Sequence, residues 1–121
     1  MTIRVKRVYE EANNLDGRRI LVDRLWPQGL SKEKADLDIW MKEISPSTEL
    51  RRWYGHDPDR WSEFKARYVV ELNQNQSNVE KLLDEVHAET VTLLYASKER
   101  KLNNAVALKE YLESITPVKT V

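Results

Sequence analysis

The sequence predicts an α/β domain of three layers, with a short, mostly parallel sheet flanked by helices. Three observations predict it. Apolar bursts rich in β-branched residues alternate with segments of helical periodicity. The two best bursts, Arg19 to Leu25 and Thr90 to Ala96, are nearly continuous in apolar character, as strands covered on both faces are. The length of 121 residues is that of one domain able to bury a core without disulfides or metal.

The elements follow in order. Ile3, Val5 and Val8 predict a first strand near residues 2–8, and Asn13-Asn14-Leu15-Asp16-Gly17 has turn composition. Arg19 to Leu25 is the second strand, stopped by Trp26-Pro27-Gln28-Gly29 because proline lacks the ladder donor. Ser31 caps a short helix through Ala35, and the alternation of Leu37, Ile39 and Met41 favours a third strand over a helix. Pro46 and Ser47 open a helix that Gly55 closes. Asp57-Pro58-Asp59 starts the next one, with a cap, a first-turn proline and an acid at the positive end of the dipole. Trp61, Phe64, Tyr68 and Leu72 lie at helical spacing along it, and Glu63 and Arg67 sit one turn apart. After the polar break Asn73 to Gln76, Ser77 and Glu80 have the capping-box pattern, and Val79, Leu82, Leu83 and Val86 form the apolar stripe. Thr90 to Ala96 is the central strand. A last helix runs from about Asn103 to Ser114, and Pro117 closes a single domain of residues 1–117, leaving 118–121 as a tail. No repeat or second domain is visible.

Composition removes several function classes. Twenty basic and 20 acidic residues give zero formal net charge, against the basic excess usual in a nucleic-acid binder. The absence of cysteine excludes thiol nucleophiles, thiolate metal sites and disulfides. His56 and His87 are the only histidines and show no ligand spacing, so no metal is expected, and His87 reads as solvated. With Gly17, Gly29 and Gly55 alone, neither a Walker loop nor a Gly-x-Gly-x-x-Gly turn can be built, and there is no Gly-x-Ser-x-Gly elbow. No signal peptide is visible and no apolar stretch nears the ~20 residues that span a bilayer, so a cytoplasmic protein is expected.

Ligands of open α/β sheets bind beyond the carboxyl ends of the strands. The second strand brings Asp23, Arg24, Trp26 and Gln28 there; the third brings Lys42 and Ser47; the last brings Ser97, Lys98 and the helix start at Asn103 and Asn104. Asp23-Arg24 is the sharpest pair: an acid beside a planar cation able to grip an oxyanion in two places, or else a buried ion pair fixing the turn. Trp26 is a pocket wall or a plug at the core rim, with Gly29 permitting close approach. Trp53 stands in the same position, whereas Trp40 and Trp61 lie on periodic faces and read as core. His56 is a general base or a loop hydrogen-bonder. Lys98 meets an anion or belongs to a solvated charge run through Lys101.

The segments Val22 to Lys32, Lys42 to Ser47, Trp53 to Pro58 and Thr92 to Ala96, in this order, resemble the YeaO-like proteins of domain-of-unknown-function family 488. The resemblance runs from Ile3 to about Leu112. It implies a compact Rossmann-like fold in a bacterial cytoplasmic protein, with no settled activity and no catalytic residue to carry over. The family usually carries arginine at the position of Gln28, and often histidine after asparagine where this chain has Asn103-Asn104.

Two functions fit. One is a pocket for a small anionic ligand, nucleotide-like or phosphorylated, held by Arg24 and Lys98 and stacked on Trp26 or Trp53. Asp23 or His56 would move protons in any hydrolase or transferase chemistry, and no cofactor is specified. The other is a non-enzymatic module that binds a protein partner or an identical chain through a patch of Trp26, Trp53 and Tyr54. Convergence of Asp23, Arg24 and Lys98 in a cleft separates the two.

Overall fold

A computed structural model describes residues 1–116, so the expected boundary at Pro117 and the tail lie outside the described residues. Four parallel strands, β1 (Ile3–Arg7), β2 (Arg18–Leu21), β3 (Ile39–Trp40) and β4 (Val91–Tyr95), form one sheet in the order β1-β4-β2-β3. Five helices accompany it: α1 (Lys32–Ala35), α2 (Thr48–Tyr54), α3 (Trp61–Asn73), α4 (Gln76–Ala88) and α5 (Asn104–Ile115). The sheet is wholly parallel. Among the described residues no helix is long and apolar enough to cross a membrane.

The period of two along the strands assigns the faces. Ile3, Ile20, Val22, Val91, Leu93 and Tyr95 point into the main core, where the buried faces of α2 to α5 meet them through Leu50, Tyr54, Phe64, Tyr68, Leu82 and Leu108. Leu21 and Leu94 point the other way, into a smaller cluster with Val8 and Ala35, bordered by Trp26, Leu30, Leu37 and Trp40. The second covering layer is therefore thin: one helical turn and a loop. Its polar half is a buried ion group. Arg19 donates to Asp16 at 2.5 Å and to the carbonyls of Ala35 at 2.8 Å and Asp36 at 3.0 Å, while Lys6 approaches Asp16 at 3.2 Å.

Most helix starts follow the sequence reading. Ser31, Ser47 and Asn103 each accept a backbone N–H in the first turn of α1, α2 and α5. Asp57 caps a 3-10 turn at Pro58–Arg60 that runs into α3. Gly55 ends α2 in the left-handed region at φ 52°.

Four expectations need correction. β2 ends at Leu21, because Asp23 turns its side chain to β4 and Leu25 is exposed. β3 shrinks to two residues, since the backbone turns at Met41 (φ −100°, ψ 67°) into a 3-10 turn at Lys42–Ile44. The Ser77–Glu80 box does not form: α4 starts two residues earlier, after Asn75, without a side-chain cap. Gly29 is open space where a Cβ would stand, so its role is the positive φ of 75° and not close approach. Close approach belongs to Gly17, whose Cβ would meet the Thr90 carbonyl oxygen at 2.2 Å.

Candidate functional site

The chain leaves β2 toward β3 on one side, whereas α5, which follows β4, packs over β4 and β1 on the other. Beyond the carboxyl ends of β2 and β4 this divergence opens a crevice, the usual ligand position in such sheets. A cleft of about 350 Å³ lies there. Its walls come from Asp23 to Gln28 after β2, Ser45 and Pro46 before α2, Arg51 on α2, His56, Ala96-Ser97 after β4, and Asn104 at the start of α5.

Asp23 is the hinge of this arrangement. Its Oδ2 accepts the Ala96 N–H at 2.9 Å and its Oδ1 accepts the Asn104 amide at 3.0 Å, and that same amide donates to the Val22 carbonyl at 3.1 Å. The Asp23 carbonyl accepts from the Trp40 indole at 2.7 Å. One residue thus ties the ends of β2 and β4 to the first turn of α5. Burial pushes the Asp23 carboxyl above its ordinary pKa, against the opposing pull of the Asn104 and Ala96 hydrogen bonds and the Arg51 charge.

Arg24 behaves differently. It forms no ion pair with Asp23 or with any other carboxylate among the described residues. Its Nη2 reaches the Ser45 carbonyl only at 3.5 Å, and its Nε is buried with no acceptor. A guanidinium carries five donors and is costly to leave unsatisfied. Arg51 also lines the cleft, exposed and without a carboxylate partner among the described residues. The cleft therefore presents two uncommitted guanidinium groups beside the first turn of α5.

Of the residues singled out from sequence, the structure brings Asp23, Arg24, Trp26, Gln28, His56 and Asn104 together here. Trp26 is half-buried, donates its indole N–H to the Leu30 carbonyl at 2.8 Å and meets Trp40 edge-on. Gln28 is exposed, and its carbonyl accepts from the Tyr9 hydroxyl at 2.7 Å. His56 is exposed and, unusually for a non-glycine residue, left-handed at φ 56°.

The others are not at the cleft. Lys42 is exposed, with its ammonium 4.9 Å from the Trp40 ring centre. Ser47 spends its hydroxyl on Glu71 at 2.6 Å and on capping α2. Trp53 is flanked by Arg60 and Arg67 on a separate hollow with Ser47 and Glu71. Asn103 is buried and wholly structural: its Oδ1 caps α5 and its Nδ2 donates to the Glu99 carbonyl at 2.9 Å. Lys98 lines an adjoining hollow. The expected aromatic patch also fails to assemble, because Tyr54 is buried with its hydroxyl on the Leu102 carbonyl, and Trp26 and Trp53 line different hollows.

Arg51 and Tyr9 are cleft residues that sequence reasoning missed, whereas Ser97, expected after the last strand, lines the cleft. Nothing in the pattern separates Arg51 from Arg52; only the seating of α2 does. Among the described residues no three His, Cys, Asp or Glu side chains gather as a metal site would require.

Fold and cleft together define a small parallel α/β domain with a polar crevice at its strand ends. The chain belongs to the DUF488 family: a family model described as "Inactive DUF488-N3 subclade" matches residues 2–119. It is similar to "Uncharacterized protein YeaO" of Escherichia coli, 43% identical over 95% of this chain and 100% of that protein. It is also similar to "Uncharacterized protein Rv3073c" of Mycobacterium tuberculosis and "Uncharacterized protein Mb3100c" of Mycobacterium bovis, each 40% identical over 91% of this chain and 92% of the relative. No solved structure matches the chain.

Proposed function

We propose that the cleft binds a small anionic ligand, nucleotide-like or phosphorylated, and holds it without turning it over. The observation that carries this reading is the Arg24 guanidinium, which lines the cleft with a buried Nε that has no acceptor. A carboxylate or phosphate oxygen would supply that acceptor in the paired geometry a guanidinium favours. Arg51 offers a second cation, and the first turn of α5 adds the favourable end of its dipole.

Binding without chemistry has its own support. The side chain that contacts Asp23 is the amide of Asn104, which does not exchange protons near neutral pH, and both Asp23 oxygens already accept hydrogen bonds. The family resemblance implies a histidine in many members at the Asn104 position, where an acid–base partner would touch the carboxylate. The matched family model's description as inactive agrees with this. Where the family resemblance implies an arginine, this chain has the neutral Gln28, which lines the cleft.

Calorimetric titration of inorganic phosphate and adenosine monophosphate into the protein tests the reading. Arg24→Gln is expected to weaken both by about ten- to hundredfold, as loss of charge-assisted hydrogen bonds does, with no loss of thermal stability. Equal affinity in the variant and the parent protein overturns it.

A further inference from the structure

The anion cleft does not end at His56. His56 and Ser97 line both that cleft and a second, more open hollow completed by Lys98 and Glu99. These two residues form a shared rim, across which a ligand longer than a bare oxyanion can continue. The rim is held in place. His56 follows Gly55 in a second consecutive left-handed conformation, at φ 56° after φ 52°. Ser97 is anchored through its carbonyl, which accepts Arg7 Nε at 2.8 Å, and through its hydroxyl, which accepts the Glu99 N–H at 3.0 Å.

The chemistry of the second hollow differs from that of the first. Lys98 is exposed and has no ion-pair partner among the described residues. Glu99 fixes one oxygen, Oε1, on the N–H groups of Lys101 at 2.9 Å and Leu102 at 3.2 Å. Those bonds hold its carboxyl below the ordinary range, so it stays ionised with Oε2 free to accept. The hollow thus offers an ammonium donor, a carboxylate acceptor, a hydroxyl and an imidazole, with charges that offset. A second anion would face Glu99. Hydroxyl groups, which both donate and accept, suit such a mixed set.

Resting on the anion-site reading above, we infer that the ligand is a phosphorylated sugar, its phosphate on Arg24 and Arg51 and its hydroxylated body across the His56–Ser97 rim on Lys98 and Glu99.

The test compares three probes by calorimetry: inorganic phosphate, pyrophosphate and ribose 5-phosphate. Ribose 5-phosphate is expected to bind about tenfold more tightly than phosphate, the scale of one hydrogen bond to a charged group, and pyrophosphate to gain less. Lys98→Met, at an exposed side chain with no partner, is expected to cancel the sugar's advantage and leave phosphate affinity unchanged. Phosphate binding that needs Arg24 but gains nothing from the sugar, or gains as much from a second phosphate, overturns this inference and leaves the anion site standing. So does a Lys98→Met variant that keeps the full sugar advantage. Indifference of phosphate binding to Arg24→Gln overturns the anion site itself, and this inference with it.

Discussion

Arg19 and Arg24 lie five residues apart, at and beyond β2, and have opposite fates. Arg19 is 3% exposed and fully engaged, with Asp16 and two backbone carbonyls filling its fork. It is a structural cation that joins β2 to the loop after α1. Arg24 has one marginal bond and an orphaned Nε. The difference in hydrogen-bond satisfaction separates scaffold from site. Only half of it is legible in the sequence. Position at a strand end singles out Arg24. Asp16 is only three residues from Arg19, but the pair spans a turn and a strand start where no helical spacing applies, and Lys6 reaches it from an edge strand. The buried group makes a stability prediction. Burial works to raise the Asp16 pKa, but hydrogen bonds from the Asn13 N–H, Arg19 and Lys6 outweigh it and hold the carboxyl below its ordinary value. The folded value thus lies below the unfolded one. The stability Asp16 contributes is complete above the unfolded carboxylate range and is lost as pH falls through the folded value. Asp16→Asn leaves Arg19 as a buried, unpaired charge and is expected to cost about 3–5 kcal/mol at neutral pH. Urea denaturation at pH 7 and pH 3 checks it: the variant should lose less between the two than the parent protein does.

At the scale of elements, the start of α5 ties the site together. Its cap, Asn103, fixes the helix start and clasps the Glu99 carbonyl, and the next residue reaches back to Val22 and Asp23. Asn103→Ala is expected to cost about 0.5–2 kcal/mol through the lost cap. Asn103→Asp keeps the acceptor for Val106 but cannot donate to Glu99, and should fall between the two in thermal denaturation. Helix ends marked by side-chain caps were readable because the capping residue and the first apolar turn are neighbours in sequence, as at Ser31, Ser47 and Asp57. Element lengths were not. The apolar alternation at Leu37 to Met41 fits a longer strand, yet β3 holds two residues because the chain must turn into the 3-10 segment that places Ile44 in the core. The Ser77–Glu80 pattern is idle because the polar break at Asn73 to Gln76 is shorter than its composition implies, and α4 begins inside it.

For the whole molecule, alternation of strands and helices predicts a parallel sheet, but strand order is a long-range property. The last strand enters between the first two, and this insertion creates the crevice. Without the order, residues after every strand compete as site candidates. Sequence position alone therefore groups Lys42 and Ser47 with Arg24, although β3 lies at the sheet edge and delivers them elsewhere. Arg51 escaped notice for the converse reason: α2 is far from Arg24 in sequence and meets it only through packing. In the proposed binding reaction, the fold holds the Arg24 Nε–H without a partner until an oxyanion arrives. The most direct measurement is the ¹⁵N–¹H resonance of that Nε–H during a phosphate titration. A saturable downfield shift, with slower exchange against water and absent in Arg24→Gln, is the expected result. A resonance that stays in place at saturating phosphate would contradict the account.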